Sequence, residues 1–246
     1  MLIPVSQLKK KFGVMPNGVL HVGAHLGEEF VSYNENGWSK ANKIIWIESQ
    51  SILVEELKRT LPSERNHIIN ATVWNKSGVE MSFKIASNSQ SSSLLNFGTH
   101  ESTYPDIHMI DSMVVRTMRL DEIITTSDNI DFLNLDIQGA ELHALQGLGT
   151  HLSRVKWIYS EVNKIEVYKG CALIQDLDAY LRSFGFKRVA TRWVSRAGWG
   201  DALWAQSDLI APYRWNILVF KLIEILRVLY LEPRRIAGMS LRALRN

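Results

Sequence analysis

The chain has 246 residues, of which 46% are hydrophobic, so it is long enough to bury one full core with additional elements. Its 28 basic and 25 acidic side chains nearly balance, which argues against a nucleic-acid partner because such proteins concentrate basic residues on one face. A single cysteine, Cys171, excludes an internal disulfide framework and a cysteine-rich zinc site. The first residues lack the apolar core of a signal peptide, so we expect a cytoplasmic protein.

Short apolar runs alternate with helical patterns over the first two thirds of the chain, which is typical of an α/β fold with a mostly parallel sheet. A helical stretch follows Gly23 and ends near Gly37. Residues 86–113 show no clear period, and we interpret them as a functional loop or lid. The predicted strands are 19–22, 43–48, 67–73, 79–85, 130–136 and 155–161, the further helices are 51–61, 140–147 and 174–184, and a closing antiparallel pair is 186–192 with 202–205.

Polar groups follow four of the predicted strands at the point where each strand ends. Gly23 follows the first, Glu48 the second, and Asp136 and Glu161 follow two buried strands further along the chain. Ligands of open α/β sheets bind beyond the carboxyl ends of the strands. A carboxylate at the end of an apolar strand also costs desolvation unless a partner compensates it. The sequence therefore predicts one ligand site at this edge.

The loop after the first strand distinguishes between cofactors. A dinucleotide site needs Gly-x-Gly-x-x-Gly, but His25 and Glu28 occupy the second and third glycine positions here. S-adenosylmethionine has no phosphate, so Gly23 and Gly27 suffice for the turn, and Glu48 is placed to accept hydrogen bonds from both ribose hydroxyls. The residues predicted to bind this cofactor are Gly23, Ala24, His25, Gly27, Glu48, Ser49, Thr72 and Asp136.

Each of these features also has a structural alternative. A Gly-x-x-x-Gly loop with a following acid occurs in α/β domains that bind no cofactor. Asp136 precedes a strand-to-helix turn and is also placed to cap it, and Glu161 alone is equally well explained as a surface or capping acid. His25 is equally well explained as a solvated loop histidine.

The sequence resembles the FkbM-type methyltransferases over residues 19–205. The Asp-x-x-Gly-Ala-Glu segment is the most specific part of the likeness. The segments that carry it are His-Val-Gly-Ala-His-Leu-Gly at 21–27, Ile-Glu at 47–48, Arg-Leu-Asp at 119–121, Phe-Leu-Asn-Leu-Asp-Ile-Gln-Gly-Ala-Glu-Leu at 132–142 and Gly-Asp-Ala-Leu-Trp at 200–204. The resemblance implies a Rossmann-like class I methyltransferase sandwich with an antiparallel closing strand, and S-adenosylmethionine-dependent methylation of oxygen on a sugar, glycan or natural product.

One departure from the family pattern bears on cofactor binding. The family loop usually begins with an acid that helps to hold the cofactor's amino group, whereas this chain has His21. Either Glu28 or another group replaces that acid, or the affinity for the cofactor is modest. A degenerate scaffold without catalysis is one alternative function. An N-methyltransferase or a protein methyltransferase on the same fold is another, although no Asn-Pro-Pro-Tyr-like motif follows the strand that ends at Asp136.

Transfer of a methyl group to an alcohol requires a base, because the hydroxyl loses its proton as it attacks. Asp136 and Glu161 are the leading catalytic candidates, followed by His25 and His100. Asp136 has a second possible role, which is contact with the cofactor or with an acceptor hydroxyl. The acids permit a divalent ion, which would lower the hydroxyl's pKa, but they show no ligand spacing, so no residue is predicted as a metal ligand.

Residues 89–108, with Tyr104, are candidates to cover or orient a small-molecule or glycan acceptor. Trp193, Trp199 and Trp204 are candidates to stack on a sugar ring, with core packing as the alternative.

The C-terminal segment is apolar over most of its predicted helix. From residue 214 to 231 the segment is apolar nearly all round, and Lys221, Glu224 and Arg227 mark one thin polar stripe. Three interpretations remain: an interfacial membrane helix with a basic flank, a homodimerisation helix, or a helix packed on its own domain. We predict an N-terminal extension over 1–18, a methyltransferase domain over 19–210 and a helical appendage over 211–246. The basic residues beyond the helix are Arg234, Arg235, Arg242 and Arg245.

Overall fold

The computed structural model describes residues 1–38 and 43–243. The helices are α1 (Val5–Phe12), α2 (Glu29–Glu35), α3 (Ser51–Thr60), α4 (His100–Thr103), α5 (Leu120–Ile123), α6 (Glu141–Leu148), α7 (Ile174–Arg182) and α8 (Arg214–Ala243). The strands are β1 (Gly18–Val22), β2 (Lys43–Glu48), β3 (Asn66–Asn70), β4 (Thr72–Val73), β5 (Glu80–Ala86), β6 (Met109–Met118), β7 (Phe132–Leu135), β8 (Trp157–Asn163), β9 (Phe186–Trp193) and β10 (Trp199–Gln206).

Seven strands form one sheet in the order β3-β2-β1-β7-β8-β10-β9. The first five of these are parallel, whereas β10 runs antiparallel to both β8 and β9. The carboxyl ends of β1, β2, β7 and β8 therefore lie along one edge. This arrangement confirms the predicted Rossmann-like sandwich with a mostly parallel sheet, an antiparallel closing strand and a C-terminal helix.

Helices cover both faces of this sheet, which explains why its central strands are apolar throughout. On one face, Leu20 and Val22 of β1 pack with Leu145 of α6 and Leu177 of α7. On the other face, Val19 joins a cluster that includes residues of α1, α3 and α8. The alternation along β1 follows from the two-residue period of a strand.

A second, three-stranded sheet has the order β4-β6-β5. Two sequence predictions were wrong here. The strand predicted over 67–73 is divided at Ala71, whose N–H donates to the Glu48 carbonyl, so that β3 and β4 join different sheets. No strand was predicted between residues 86 and 129, yet β6 lies there. Its apolar residues do not alternate with polar ones in the sequence, so the pattern gave no strand signal. In the structure the strand is largely exposed, with Ile110 and Val114 at 60% and 77%.

The segment between β5 and β6 is packed against the carboxyl edge of the large sheet. Ser93 exchanges two backbone hydrogen bonds with Lys84, at 2.8 and 3.0 Å. Phe97 forms a backbone bridge with Tyr168. The predicted loop or lid is thus a cover attached at both of its sides, and it contains α4.

The N-terminal residues and α8 pack together on one face of the sheet. Leu8 and Phe12 of α1 share a buried cluster with Ile217 and Phe220 of α8. Residues 244–246 of the predicted appendage lie outside the described residues, and the domain boundaries at 18/19 and 210/211 stay predictions. Among the helices the structure describes, none is long and apolar enough to cross a bilayer.

Candidate functional site

A cavity of about 530 Å³ opens at the carboxyl edge of the large sheet. Its volume is within the roughly 300–1,000 Å³ typical of small-molecule sites. Seven of the nine predicted site residues line it: Gly23, His25, Glu48, Ser49, Thr72, Asp136 and Glu161. The other two, Ala24 and Gly27, lie behind the wall. Ala24 is buried in the core, and Gly27 faces the Leu57 and Leu61 side chains.

The turn after β1 is held between the two neighbouring strands. Gly23 and Ala24 donate their N–H groups to the Ile47 carbonyl at 2.9 and 3.0 Å, and the Asp136 N–H donates to the Val22 carbonyl at 3.0 Å. Gly23 has φ +85°, and a Cβ at this position would collide with the Asp136 carbonyl oxygen. Glycine is therefore required here, and the close backbone approach leaves the cavity open to a ligand.

Glu48, at the end of β2, presents a carboxylate that is fixed by backbone groups. Its two oxygens accept from the N–H groups of Gln50 at 2.9 Å and His25 at 3.0 Å. Burial raises the pKa of Glu48, although both amide hydrogen bonds oppose this shift. Each carboxylate oxygen has two acceptor positions, so one remains on each for a ligand hydroxyl.

Asp136 and Glu161 are joined through a residue that sequence reasoning missed. The Gln138 side-chain amide donates to Asp136 Oδ1 at 2.6 Å and to Glu161 Oε2 at 3.1 Å. Its carbonyl oxygen accepts from the Tyr168 hydroxyl at 2.5 Å. Gln138 has φ +54°, a conformation that is uncommon for residues other than glycine and that is concentrated at functional sites.

The two carboxyl groups differ in their exposure. The Asp136 side chain is open to the cavity, and loss of hydration, together with the negative charge of Asp201, raises its pKa to about 6. Glu161 is 6% exposed, and burial followed by repulsion from Asp136 raises its pKa well above the usual range. Burial and mutual repulsion therefore favour the proton on Glu161, the more deeply buried of the two carboxyl groups, over Asp136.

Glu141 holds the turn that carries Asp136 and Gln138. Its Oε1 accepts from the N–H groups of Ile137 at 3.1 Å and Gly139 at 3.0 Å. Burial raises the pKa of Glu141 to about 7, while these amide hydrogen bonds lower it. Glu141 is buried behind the cavity wall, so its role is to position the turn.

His25 connects the glycine turn to the cover. Its Nδ1 lies 2.7 Å from Glu28 Oε1, and its Nε2 lies 2.8 Å from Ser89 Oγ. The hydrogen bond with Glu28 is the main cause of a raised pKa for His25. His25 is therefore bound to protein groups on both ring nitrogens.

The cover contributes polar and aromatic groups to the opposite wall. His100 Nε2 lies 3.2 Å from Ser91 Oγ, and its ring stacks on Phe97. Trp199 donates its indole N–H to the Tyr104 hydroxyl at 3.0 Å, and both residues line the cavity.

Of the three tryptophans considered for sugar stacking, Trp199 alone lies at this cavity. Trp204 is buried and donates to Asp178 at 2.8 Å. Trp193 lines a different cavity beside α8.

His21 is buried among aromatic side chains and is uncharged. Its ring stacks on Trp46 with a centroid distance of 4.8 Å, and Tyr33 and Asn134 contact its nitrogens. Complete burial lowers the pKa of His21 to about 4, so it is neutral at pH 7. The carboxylate of Glu29, a residue that sequence reasoning missed, lies 3.9 Å from His21 Nε2 and lines the cavity.

The cavity has a strongly acidic lining. No lysine or arginine of the described part of the chain lines it, whereas six acids do: Glu28, Glu29, Glu48, Asp136, Glu161 and Asp201. Asp201, on β10, accepts from the Leu2 N–H at 2.5 Å and from the Tyr159 hydroxyl. Within residues 1–38 and 43–243, no cluster of three or more His, Cys, Asp or Glu side chains has the arrangement of a metal site.

Sequence and structure comparisons identify relatives of this arrangement. The family model described as the methyltransferase FkbM domain matches residues 21–188. No curated protein sequence matches significantly. An FkbM methyltransferase from Methylobacillus flagellatus KT is 17% identical with a TM-score of 0.52, and the alignment covers 82% of this chain and 48% of that one. This chain thus spans about half the length of that protein.

Two further solved structures are less similar. An S-adenosylmethionine-dependent methyltransferase from Aquifex aeolicus is 14% identical with a TM-score of 0.43, covering 83% of this chain and 95% of that one. Magnesium protoporphyrin IX methyltransferase from Synechocystis PCC 6803 is 10% identical with a TM-score of 0.46, covering 82% and 80%.

The family model extends from the end of β1 into β9, and so includes the glycine turn, Glu48, the Asp136 turn and Glu161. It covers more than half of the chain, and the FkbM structure has the same fold. The resemblance noted in the sequence is confirmed: this protein belongs to the FkbM methyltransferase domain family.

Proposed function

We propose that this protein transfers a methyl group from S-adenosylmethionine to a hydroxyl of a sugar, glycan or natural product. The observation that carries this proposal is that Gln138 binds two carboxyl groups, those of Asp136 and Glu161. Both lie in the same cavity as Glu48 and the Gly23 turn. One end of the cavity thus fits a nucleoside and the other fits proton removal from an acceptor.

The residues present fit S-adenosylmethionine as the cofactor. When bound, it supplies a methyl group already activated by a sulfonium. The acidic lining suits its positively charged sulfonium and ammonium groups and disfavours the pyrophosphate of a dinucleotide. The unoccupied acceptor positions on Glu48 suit two ribose hydroxyls, and Gly23 permits close approach to the backbone.

Asp136 is the proposed general base. An acceptor hydroxyl loses its proton as its oxygen attacks the methyl group, and a carboxylate with a pKa of about 6 is ionised at neutral pH and basic enough to take that proton. The Gln138 amide holds Asp136 Oδ1 at 2.6 Å, so the carboxylate is oriented before the acceptor binds. Burial and repulsion from Asp136 raise the pKa of Glu161, so a second negative charge beside the base is disfavoured.

The cover supports an oxygen-rich acceptor. Trp199 offers an aromatic face, and the Tyr104 hydroxyl and the serines over 89–92 offer hydrogen-bonding groups on the same wall. Sugar rings present apolar C–H faces to aromatic rings and hydroxyls to polar side chains. A polyhydroxylated acceptor is therefore the chemical class that this wall fits best.

A degenerate scaffold without catalysis is the second candidate function, because the neutral His21 stands where the family has an acid. Against it, Glu29 supplies a carboxylate beside His21 at the cavity wall. Calorimetric titration with S-adenosylmethionine separates the two candidates. Absence of binding at millimolar concentration would favour the scaffold.

The test of the catalytic assignment is Asp136→Asn. We expect it to lower turnover by roughly 10²–10⁴-fold, as is typical for loss of a general base, and to change the calorimetric affinity for S-adenosylmethionine by only a few-fold. The matched control is Asp208→Asn, an exposed acid outside the cavity, which is expected to retain full turnover. Turnover that survives in Asp136→Asn would refute the assigned role.

A further inference from the structure

Helix α8 directs its apolar side away from the protein. Ile217 and Phe220 pack beneath it, and the Glu224 carboxylate accepts from Arg192 at 2.7 and 2.9 Å on the same inner side. The outer face consists of eight apolar residues, each between 47% and 67% exposed: Trp215, Leu218, Val219, Leu222, Ile223, Ile225, Leu226 and Leu229.

These eight residues, which we call the outer face, form one continuous surface. At 3.6 residues per turn they fall within an arc of about 160°, opposite Phe220 and Glu224, and they extend over about 21 Å of helix. No charged residue falls within this arc. A helix on the surface of a globular protein normally has the reverse orientation, and an exposed apolar patch of this extent marks an interaction site.

Basic side chains border the outer face on both of its sides. Lys221 and Arg227 lie just beyond the two limits of the arc. Beside Lys221, a cavity of about 700 Å³ lies between α8, α7 and β9. Its basic lining residues are Lys164, Arg182, Lys187, Arg188 and Lys221.

The acids near this surface are already paired. Asp178 forms an ion pair with Arg188 at 3.0 Å, and Glu224 forms one with Arg192 at 2.7 Å. They are the two acids that line the cavity, so its five basic residues leave an excess of positive charge beside the outer face. The sequence after Leu229 continues this excess, with four arginines and one glutamate.

The positive charge beside the outer face favours a membrane over a second copy of the chain as its binding partner. Two copies joined through their outer faces would bring Lys221 and Arg227 of both chains to the same seam. Between residues 214 and 229 of α8 the acid is Glu224, which is already engaged with Arg192 and Arg227, and like charges at an interface oppose association. An anionic membrane surface instead accommodates both features, because acyl chains cover the apolar arc and lipid phosphates face the basic flanks.

We propose that α8 lies in the interfacial layer of an anionic membrane, with the outer face among the acyl chains and its basic flanks against the headgroups. This places the described part of the chain on the membrane surface. The inference is independent of the acceptor and of the catalytic roles assigned above.

Flotation of the full chain with vesicles tests the proposal. We expect binding to vesicles containing phosphatidylserine to exceed binding to phosphatidylcholine vesicles by at least about tenfold, since each basic residue near the surface adds to the attraction. Added salt is expected to reduce this difference. Equal binding to both vesicles would overturn the electrostatic part of the proposal, and no binding to either would overturn the proposal as a whole.

The double variant Leu222→Glu with Leu226→Glu removes the apolar centre of the outer face. We expect it to abolish flotation, whereas the control Val31→Glu, an exposed apolar residue of α2, is expected to float like the unmodified chain. Light scattering provides the competing outcome. A dimer in solution that the double variant dissociates would show that a second copy covers the face, and would overturn the proposal.

A measurement on the unmodified fold complements these variants. Brominated acyl chains quench indole fluorescence on contact, and Trp215 lies on the outer face with 67% exposure. We expect bromolipid vesicles to quench the unmodified chain more strongly than Trp215→Phe. Equal quenching of both proteins would place the outer face outside the acyl layer.

Discussion

At the scale of single residues, the acids of the cavity are made chemically different by their surroundings. Asp136 is open to the cavity and has a pKa of about 6, whereas burial and repulsion from Asp136 raise the pKa of Glu161 well above its usual range. Gln138 contacts both carboxyl groups, so one amide orients them together. Two side chains of the same chemical type thus have pKa values that their surroundings shift to different extents.

The first prediction concerns the pH dependence of turnover. Asp136 acts as a base when it has lost its proton. We therefore expect kcat to decrease as the pH falls below an apparent pKa near 6. The negative charge of Asp201 is the largest electrostatic contribution to that raised pKa. Asp201→Asn is therefore expected to shift the acidic limb of the profile to lower pH. A limb that does not move would show that Asp136 is not the titrating group.

At the scale of elements, the turn from β7 into α6 sets the geometry of the catalytic groups. Gln138 and Gly139 have φ values of +54° and +100°, and Glu141 binds the N–H groups on both sides of Gln138. The Ser93 hydroxyl also donates to the Gln138 carbonyl at 2.7 Å, which fixes the cover to the same turn. Three hydrogen bonds from two side chains thus hold the unusual backbone, as strained functional turns require.

The second prediction tests this turn with Gly139→Ala. A Cβ there would lie 2.9 Å from Cys171 Cβ and 3.1 Å from Tyr168 Cβ, in addition to the strain of a positive φ. We expect a loss of about 1–3 kcal/mol in the free energy of unfolding, together with reduced turnover because Gln138 is displaced. Chemical denaturation and kcat measure the two effects.

Gly78→Ala is the matched control for this substitution. Gly78 also has a positive φ, +75°, but nothing lies within 4 Å of its added Cβ. It is expected to lose less stability and to retain full turnover. Equal losses in both variants would show that backbone strain alone explains the effect, and that the packing around Gly139 does not position Gln138.

The fold could be predicted where both faces of a strand are buried. β1, β2, β7 and β8 are largely apolar runs, and their common edge was indicated by the Gly23 turn after β1, Glu48 at the end of β2, Asp136 directly after β7 and Glu161 close to the end of β8. β6 could not be predicted, because it is long but largely exposed and lacks alternation.

The residues of the site could be predicted where the signal is local in the sequence, and could not where it depends on the tertiary structure. Glu48, Asp136 and Glu161 were identified because an acid at the end of an apolar strand is a local signal. Gln138 and Glu29 were missed because their roles depend on the fold: Gln138 on a positive φ and two distant partners, and Glu29 on its position beside His21. The burial and neutral charge of His21 likewise depend on its ring contacts with Trp46 and Tyr33, which belong to other elements.

At the scale of the whole molecule, the two ends of the described chain meet on one face of the sheet. Phe220 of α8 packs edge-on against Phe12 of α1, with a centroid distance of 5.4 Å. Arg192 donates to both Glu224 and the Leu2 carbonyl, and the Leu2 N–H binds Asp201 at the cavity. The inner side of α8 is thus part of the core, while its outer face is directed to solvent.

The last prediction distinguishes an integral α8 from an attached appendage. Phe220 is 1% exposed, so Phe220→Ala is expected to lower the free energy of unfolding by about 3–5 kcal/mol, through lost burial and the cavity that remains. Leu222→Ala, on the same helix but 51% exposed, is expected to change it by only about 0.5 kcal/mol. Denaturant titration followed by near-ultraviolet circular dichroism reports on the packing of the whole fold. If α8 only extended from an independent domain, Phe220→Ala and Leu222→Ala would unfold at the same denaturant concentration, because the packing of α1 and the sheet would not depend on the helix.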